Sequence, residues 1–279
     1  MKKILVTGCN GQLGRAINKE YYNDNVEMIN TDVADLDITD IDKVMQYINE
    51  KKPDIIINCA AHTNVDLCES QWELAYKINA IGPRNLSIAA SNIGSKLIHI
   101  STDYVFDGLS NSPYREYDMA NPTGAYGRTK LEGEKMVQQF ADKFFILRTA
   151  WLYGEGKNFV NSMINLGKKN KEVGVVADQI GTPTSAKELA KVIHMLEQTE
   201  NYGIFHGTCE GYCSWADFAE EIFKYAGMKV KVNRLRTDEY PTPAKRPAYS
   251  VLDNFMLSLT TDFVFSDWKD ALREYFNEI

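Results

Sequence analysis

The sequence predicts an α/β fold, a doubly wound parallel sheet of the Rossmann type with a smaller C-terminal α/β lobe. In the first half of the chain, short apolar runs alternate with longer amphipathic stretches, which is typical of strands alternating with helices. The apolar runs are continuous, which indicates a sheet that is covered on both faces. A glycine-rich turn joins the first run to the first amphipathic stretch. This order implies parallel strands joined by right-handed crossovers.

The elements of the first half follow one another regularly. Strands are predicted at residues 4–7, 26–30, 55–59, 97–101 and 144–149, and helices at 13–22, 41–51, 73–92 and 126–141. After Trp151 the pattern loosens, with strands predicted at 173–177 and 203–206 and helices at 185–197, 214–226 and 267–276. We therefore predict one domain over residues 1–150 and a second lobe mainly over 151–279, with 173–197 able to return to the first.

Composition excludes several classes of protein. The chain has 279 residues, 44% of them hydrophobic, which is enough for a sizeable core. A net charge of −7 argues against general binding to nucleic acid or to an anionic membrane. No apolar run approaches the length of a membrane span. The five cysteines are scattered and odd in number, which favours reduced thiols and a cytoplasmic location.

A metal site is not predicted. Cys209 and Cys213 lie near His206, so a metal site there is conceivable. However, no second pair of ligands accompanies them, as a structural zinc site would require.

The glycine-rich turn, residues 8–14, predicts a dinucleotide-binding site. Gly8, Gly11 and Gly14 give the spacing G-x-x-G-x-x-G, with Asn10, Gln12 and Leu13 between them. Glycines let backbone N–H groups approach a pyrophosphate, which then lies at the positive end of the following helix. A plain strand–helix turn remains the alternative. On this basis, residues 1–150 are the predicted dinucleotide-binding domain and 151–279 the substrate-binding lobe.

Polar and small residues after the second and third strands extend this site. Asp32 is placed to accept hydrogen bonds from the ribose hydroxyls and would repel a 2′-phosphate, which favours NAD(H). Arg15 is a possible phosphate partner that would relax this preference. Asp37 and Ile38 would border the adenine. The segment Ala60-Ala61-His62-Thr63 would let the cofactor cross the sheet edge, with His62 as a positioned polar residue rather than a catalyst.

Tyr126, Lys130 and Thr102 are the predicted catalytic residues. Tyr126 and Lys130 are four residues apart on a predicted helix and therefore share a face. An ammonium beside a phenol should lower the pKa of the tyrosine and help it to transfer a proton. Thr102 ends the fourth strand, where its hydroxyl could bond a substrate carbonyl. Hydride transfer from NADPH or NADH to a ketone then needs no metal.

These segments resemble the extended short-chain dehydrogenases/reductases, and within them the dTDP-4-dehydrorhamnose reductase family. The resemblance covers nearly the whole chain. The matching segments are residues 6–8 and 10–14, Cys59-Ala60-Ala61-His62-Thr63 with Val65-Asp66, Ser101-Thr102-Asp103-Tyr104-Val105-Phe106, Tyr126-Gly127 with Thr129-Lys130, residues 148–154, residues 178–179 with 181–184, and Arg246-Pro247.

The resemblance implies reduction of the C4 ketone of dTDP-4-dehydro-6-deoxy-L-mannose to dTDP-L-rhamnose. Thr102, Asp103 and Trp151 would contact the sugar nucleotide, with Tyr126 as proton donor. The family accepts NADPH and NADH to differing degrees, and some members use Mg²⁺ at a dimer contact, so a homodimer and Mg²⁺ are possible here. The implied cofactor contacts are Gly11, Gln12, Leu13, Asp32, Asp37, Ile38, Ala61, His62, Thr63, Tyr126 and Lys130.

Three other functions share these motifs. Sugar-nucleotide dehydratases resemble one another in an Asp-Glu pair after the fourth strand, whereas here Tyr104 follows Asp103. A 4-epimerase is not fully excluded, although Trp151 and residues 179–184 favour the reductase. A regulatory subunit similar to the β subunit of methionine adenosyltransferase would bind NADP without catalysis. The intact set of catalytic residues favours an enzyme.

Overall fold

The computed structural model describes residues 1–278. It contains twelve strands within these residues, which are β1 Lys2–Thr7, β2 Val26–Thr31, β3 Ile55–Asn58, β4 Lys96–Thr102, β5 Phe144–Thr149, β6 Leu152–Tyr153, β7 Glu172–Val176, β8 Ile180–Gly181, β9 Thr184–Ser185, β10 Gly203–His206, β11 Cys213–Ser214 and β12 Lys231–Leu235. The α-helices are α1 Gln12–Glu20, α2 Ile41–Lys51, α3 Val65–Ser70, α4 Trp72–Tyr76, α5 Gly82–Ile93, α6 Ala125–Phe140, α7 Phe159–Gly167, α8 Ala186–Glu197, α9 Trp215–Tyr225, α10 Phe255–Thr260 and α11 Trp268–Glu278.

The central sheet has six parallel strands in the order β10-β5-β4-β3-β1-β2. The chain moves outward from β1 to β2, and then crosses to β3 on the other side of β1. This reversal is the switch point at which open α/β sheets bind ligands, beyond the carboxyl ends of the strands. The prediction of a doubly wound parallel sheet is confirmed.

Alternation along the strands explains why both faces of the sheet are covered. Ile4 and Val6 of β1 point to one face, in a core shared with α1, α8 and the second lobe. Leu5 points to the opposite face, in a core shared with α2, α5 and α6. Because successive side chains of a strand point to opposite sides, a strand buried on both faces is apolar at every position.

The helical stretch predicted at residues 73–92 is interrupted by a π-helical turn. The structure forms α4, then the π turn Lys77–Ile81, and then α5, which has Pro83 in its first turn. Proline has no N–H to donate to the preceding turn, which is consistent with a change in hydrogen bonding there. The turn carries the buried Asn79, whose amide donates to the Thr129 hydroxyl of α6 and to the His62 carbonyl.

The second half of the chain contributes to both lobes. β7 pairs with β12 in a small parallel sheet of the second lobe. By contrast, α8 packs against α1, and β10 pairs with β5 as the edge strand of the central sheet. Within the predicted returning segment 173–197, α8 therefore lies on the first lobe and β7 on the second. The domain boundary near residue 150 stays a prediction.

Candidate active site

A cavity of ≈ 910 Å³ lies at the carboxyl ends of β1, β3, β4 and β5, where the second lobe faces the sheet. It is lined by residues from the glycine-rich turn, from the strand ends and from the start of the second lobe. The sequence-predicted residues that line it are Gly8, Asn10, Gly11, Gln12, Leu13, Asp32, Asp37, Ile38, Ala60, Ala61, Thr63, Thr102, Asp103, Tyr126, Lys130 and Trp151.

The glycine-rich turn is shaped so tightly that side chains are excluded. Gly8 has φ +65°, and a Cβ there would lie 2.8 Å from the Ala60 backbone nitrogen. A Cβ on Gly14 would lie 2.6 Å from both the Cys9 Cα and the Gly8 carbonyl oxygen. Gly11 caps α1 without a side-chain hydrogen bond. The first N–H groups of α1 are therefore available to an anionic group such as a pyrophosphate.

Asp32 and Asp37 lie on the cavity wall in positions suited to an adenosine. The Asp32 carboxylate accepts from the N–H of Val33 at 2.8 Å and from the N–H of Asn10 at 3.3 Å. Asp37 accepts from the backbone and hydroxyl of Thr39. Both carboxylates are thus held in place by the chain before any ligand is present.

His62 is the one predicted cofactor residue that does not line the cavity. Its N–H donates to the Asn79 amide oxygen at 2.8 Å, and its ring lies 3.3 Å from the Cys68 sulfur and 3.3 Å from the Gln71 amide oxygen. The π turn that carries Asn79 holds this segment. The sequence of the loop contains no sign of this long-range contact, and a cofactor role for His62 stays a prediction.

The three predicted catalytic residues come together at the end of β4. Lys130 is buried and its ammonium donates to the Ile100 carbonyl of β4 at 2.5 Å. Thr102 is two residues further along the same strand, and its hydroxyl is close enough to the Tyr126 phenol to influence the pKa of that group. Tyr126 is half-buried, and the Tyr104 ring meets it edge-on with centroids 5.5 Å apart. Helix α6 and strand β4 therefore place the phenol, the ammonium and the hydroxyl at one site.

The electrostatics of the pair differ from the prediction. Burial raises the pKa of Tyr126 above its ordinary value of 10, and the neighbouring Thr102 hydroxyl opposes this only in part. The prediction that Lys130 lowers the pKa of Tyr126 is therefore wrong for this structure. Burial also lowers the pKa of Lys130 to about 8, although Glu134 acts in the opposite direction. The phenol consequently keeps its proton at neutral pH, as a proton donor must.

Asp103 is a buried carboxyl group beside the catalytic residues. Burial raises its pKa to about 6, and the neighbouring Ser250 and Thr102 hydroxyls oppose the rise. The Thr102 hydroxyl donates to one carboxyl oxygen at 2.9 Å. The other oxygen is buried without a protein partner. Asp103 therefore has an acceptor position that a hydroxyl group of a ligand can use.

Trp151 and Trp215 together form part of the cavity wall. Trp215 was not predicted from the sequence. Trp151 has φ +45°, a left-handed backbone conformation that is rare for a residue with a side chain. Its indole stacks on that of Trp215, with ring centroids 3.4 Å apart. Both residues line the cavity. Trp215 begins α9, far along the chain, and no local motif marked it as a site residue.

Two further wall residues have buried polar atoms without partners, and one of them, Thr149, was not predicted from the sequence. Thr149 ends β5 directly beside Thr102 of β4 and has a buried hydroxyl without a partner. The buried side-chain oxygen of Gln12 is likewise unpaired. Buried polar atoms without partners are rare in folded proteins, so these positions fit a bound polar molecule. The cavity volume, the glycine-rich turn and these atoms together fit a nicotinamide dinucleotide.

Comparison with known proteins agrees with this geometry. The family described as "RmlD substrate binding domain" matches residues 1–279. A dTDP-4-dehydrorhamnose reductase of Aggregatibacter actinomycetemcomitans is 42% identical over 98% of each chain. The structure of a dTDP-4-dehydrorhamnose reductase of Clostridium acetobutylicum is 57% identical over 99% of each chain, with a TM-score of 0.98. That of the Bacillus anthracis enzyme in complex with NADP is 44% identical over 100% of this chain and 99% of that one, with a TM-score of 0.97.

The fold and the site thus define an NAD(P)-dependent oxidoreductase of the short-chain dehydrogenase/reductase class. The predicted family resemblance is confirmed. This chain belongs to the dTDP-4-dehydrorhamnose reductase family.

Proposed function

We propose that this protein reduces the C4 ketone of dTDP-4-dehydro-6-deoxy-L-mannose to give dTDP-L-rhamnose. Its relatives carry the corresponding name at identities of 42% and 57% over almost the whole chain. The observation that supports the proposal most directly is the convergence of Tyr126, Lys130 and Thr102 on one cavity wall. A protonated phenol at the carboxyl end of β4 is suited to protonate an oxygen that forms there.

Each catalytic side chain has one task in this mechanism. NADPH or NADH supplies the hydride when bound. Tyr126 donates its phenolic proton to the ketone oxygen, which becomes the hydroxyl of the product. Thr102 lies beside the phenol on the same cavity wall and orients the ketone. Lys130 presents an ammonium that would donate hydrogen bonds to the hydroxyls of the nicotinamide ribose.

The sugar nucleotide is proposed to lie between the catalytic residues and the second lobe. Asp103 offers its unpaired carboxyl oxygen to a sugar hydroxyl. Trp151 and Trp215 offer a flat apolar surface on the other side of the cavity. A deoxythymidine base is planar and stacks well on such a surface.

The experiment is a turnover assay with several nucleotide sugars. Oxidation of NADPH and of NADH is followed at 340 nm with dTDP-4-dehydro-6-deoxy-L-mannose and with other 4-keto nucleotide sugars. We expect turnover to be fastest with the L-mannose derivative and the product to be dTDP-L-rhamnose. Binding of NADPH without turnover of any 4-keto sugar would contradict the proposal and favour a regulatory subunit.

Location and assembly are also part of the proposal. No helix within residues 1–278 has the length and apolarity needed to cross a membrane. The five cysteines are free thiols, which supports a cytoplasmic location. A homodimer stays a prediction, as does dependence on Mg²⁺. Size-exclusion chromatography with light scattering and turnover after treatment with EDTA would test the two.

A further inference from the structure

The side chains of Glu134 and Arg148 form a buried ion pair one helical turn after Lys130. The mechanism above does not use this ion pair. The carboxylate of Glu134 accepts from the Arg148 guanidinium at 2.9 and 2.7 Å, and both side chains are almost fully buried. The Ser101 hydroxyl also donates to Glu134. Buried ion pairs often contribute little to stability, because burial removes both charges from water. The location of this pair therefore suggests a different role.

The geometry connects this pair to the active site. Glu134 follows Lys130 by four residues on α6, so the two side chains share one face of the helix. They also reach adjacent residues of β4, since Lys130 bonds to the Ile100 carbonyl and Glu134 to the Ser101 hydroxyl. Tyr126 lies one turn before Lys130 on the same face. One helix face therefore carries the proton donor, the cofactor-binding cation and a carboxylate.

We propose that Glu134, held in place by Arg148 and Ser101, is a positioning residue that keeps Lys130 protonated for binding of the cofactor. This inference rests on the proposed role of Lys130 in binding the nicotinamide ribose. A buried ammonium without a nearby negative charge loses its proton readily. Glu134 is the carboxylate that opposes this loss, and Arg148 fixes the orientation of its two oxygens through a bidentate contact.

The other titratable groups around Lys130 do not change charge between pH 7 and 9. Burial and the Lys130 charge hold the pKa of His99 well below its ordinary value. Burial raises the pKa of Cys59 to about 12 and that of Tyr126 above 10, whereas the pKa of Asp103 is about 6. On β10, burial and the Arg148 charge lower the pKa of His206 to about 3. The pH dependence of cofactor binding in this window therefore reports on Lys130.

The experiment measures the dissociation constant of NADPH by fluorescence titration from pH 7 to 9.5. For the unmodified protein, a pKa near 8 for Lys130 predicts an increase of about tenfold between pH 7 and 9. Glu134→Gln keeps the size of the side chain and one acceptor oxygen but removes the charge. The midpoint of the pH dependence of the NADPH dissociation constant should therefore fall by about one pH unit. Glu134→Asp keeps the charge and should retain a midpoint closer to that of the unmodified protein.

Two further variants serve as controls, one for unfolding and one for the loss of a buried charge far from the site. Glu134→Gln leaves Arg148 without a charged partner, and it could unfold for that reason. The double variant Glu134→Gln/Arg148→Met removes both charges together and should show the same downward shift. Glu197→Gln breaks the Lys2–Glu197 ion pair at the opposite end of the sheet and should leave the midpoint unchanged.

The outcomes separate the inference from the proposed function. A folded Glu134→Gln or double variant with the midpoint of the unmodified protein would overturn the inference, since a merely structural pair alters stability and not the midpoint. An unmodified protein whose affinity for NADPH does not depend on pH would overturn it as well. Failure of the unmodified protein to bind NADPH or NADH at all would contradict the proposed function, on which the inference rests.

Discussion

The indole rings of Trp151 and Trp215 stack almost face to face, with centroids 3.4 Å apart and an angle of 8° between their planes. Isolated aromatic pairs prefer offset or edge-on arrangements. Here the surrounding chain enforces the geometry, because Trp151 has a left-handed backbone and a Cβ on Gly181 would lie 2.5 Å from its indole. The stack therefore forms a well-defined part of the cavity wall.

Replacement of either tryptophan by alanine should weaken binding of the sugar nucleotide. Loss of an aromatic stacking partner costs about 1–1.5 kcal/mol, so we expect the KM for the dTDP-sugar to rise about tenfold. The dissociation constant of NADPH should change little. Steady-state kinetics of Trp151→Ala and Trp215→Ala, compared with Trp72→Ala on the exposed surface, would test this. Unchanged KM values would identify the stack as a structural contact between the lobes.

Tyr126→Phe should impair the chemical step while leaving cofactor binding intact. Removal of a positioned acid is expected to lower kcat by about 10²–10⁴-fold, with little change in the NADPH dissociation constant. Tyr104→Phe is the matched control, because this ring also lines the cavity and contacts Tyr126 edge-on. It should retain most of the activity. A parallel loss of turnover and of NADPH affinity in Tyr126→Phe would point to a structural role instead.

Asp32→Asn should shift the cofactor preference towards NADPH. The Asp32 carboxylate lies on the cavity wall after β2, where it would repel a 2′-phosphate. Removing this negative charge should raise the NADPH/NADH ratio of kcat/KM by about tenfold. Asp35→Asn is the control, since Asp35 is exposed and does not line the cavity. An unchanged ratio in Asp32→Asn would place the 2′-position elsewhere.

The stability of Asp103→Asn relative to the unmodified protein should be greater at neutral pH than at acidic pH. Burial raises the pKa of Asp103 to about 6, above its ordinary value of 3.8. The folded state therefore binds a proton that the unfolded chain releases, and this contribution to stability falls as pH rises from about 4 to about 6. Asparagine does not titrate, so the variant lacks this pH-dependent contribution to stability. The difference in unfolding free energy between variant and unmodified protein should increase by about 2 kcal/mol from pH 4.5 to 7.5.

Urea denaturation at the two pH values measures this effect. Asp142→Asn, at an exposed position, is the control and should show no such increase. Asparagine can still accept the hydrogen bond from Thr102, so the local geometry is preserved. A constant difference between Asp103→Asn and the unmodified protein would show that water reaches the carboxyl group.

The first half of the fold could be predicted because its signals are local. Continuous apolar runs marked β1, β3 and β5, and the glycine spacing marked the turn into α1. Similarly, the spacing of Tyr126 and Lys130 on a helix places them on one face in any α/β fold. The π turn at residues 77–81 was missed, because its hydrogen bonds depend on contacts of Asn79 with the neighbouring loop and helix.

The sequence by itself therefore determined the order of the elements, the glycine-rich turn and the chemical types that meet at the end of β4. Only the tertiary structure decided that Trp215 faces Trp151, that Glu134 and Arg148 lie behind Lys130, and that the phenol of Tyr126 holds its proton more firmly than in water. The physical reason is the separation along the chain of the residues that interact. Periodicity and turns depend on neighbours along the chain, whereas burial and its effect on charge depend on residues that only folding brings together.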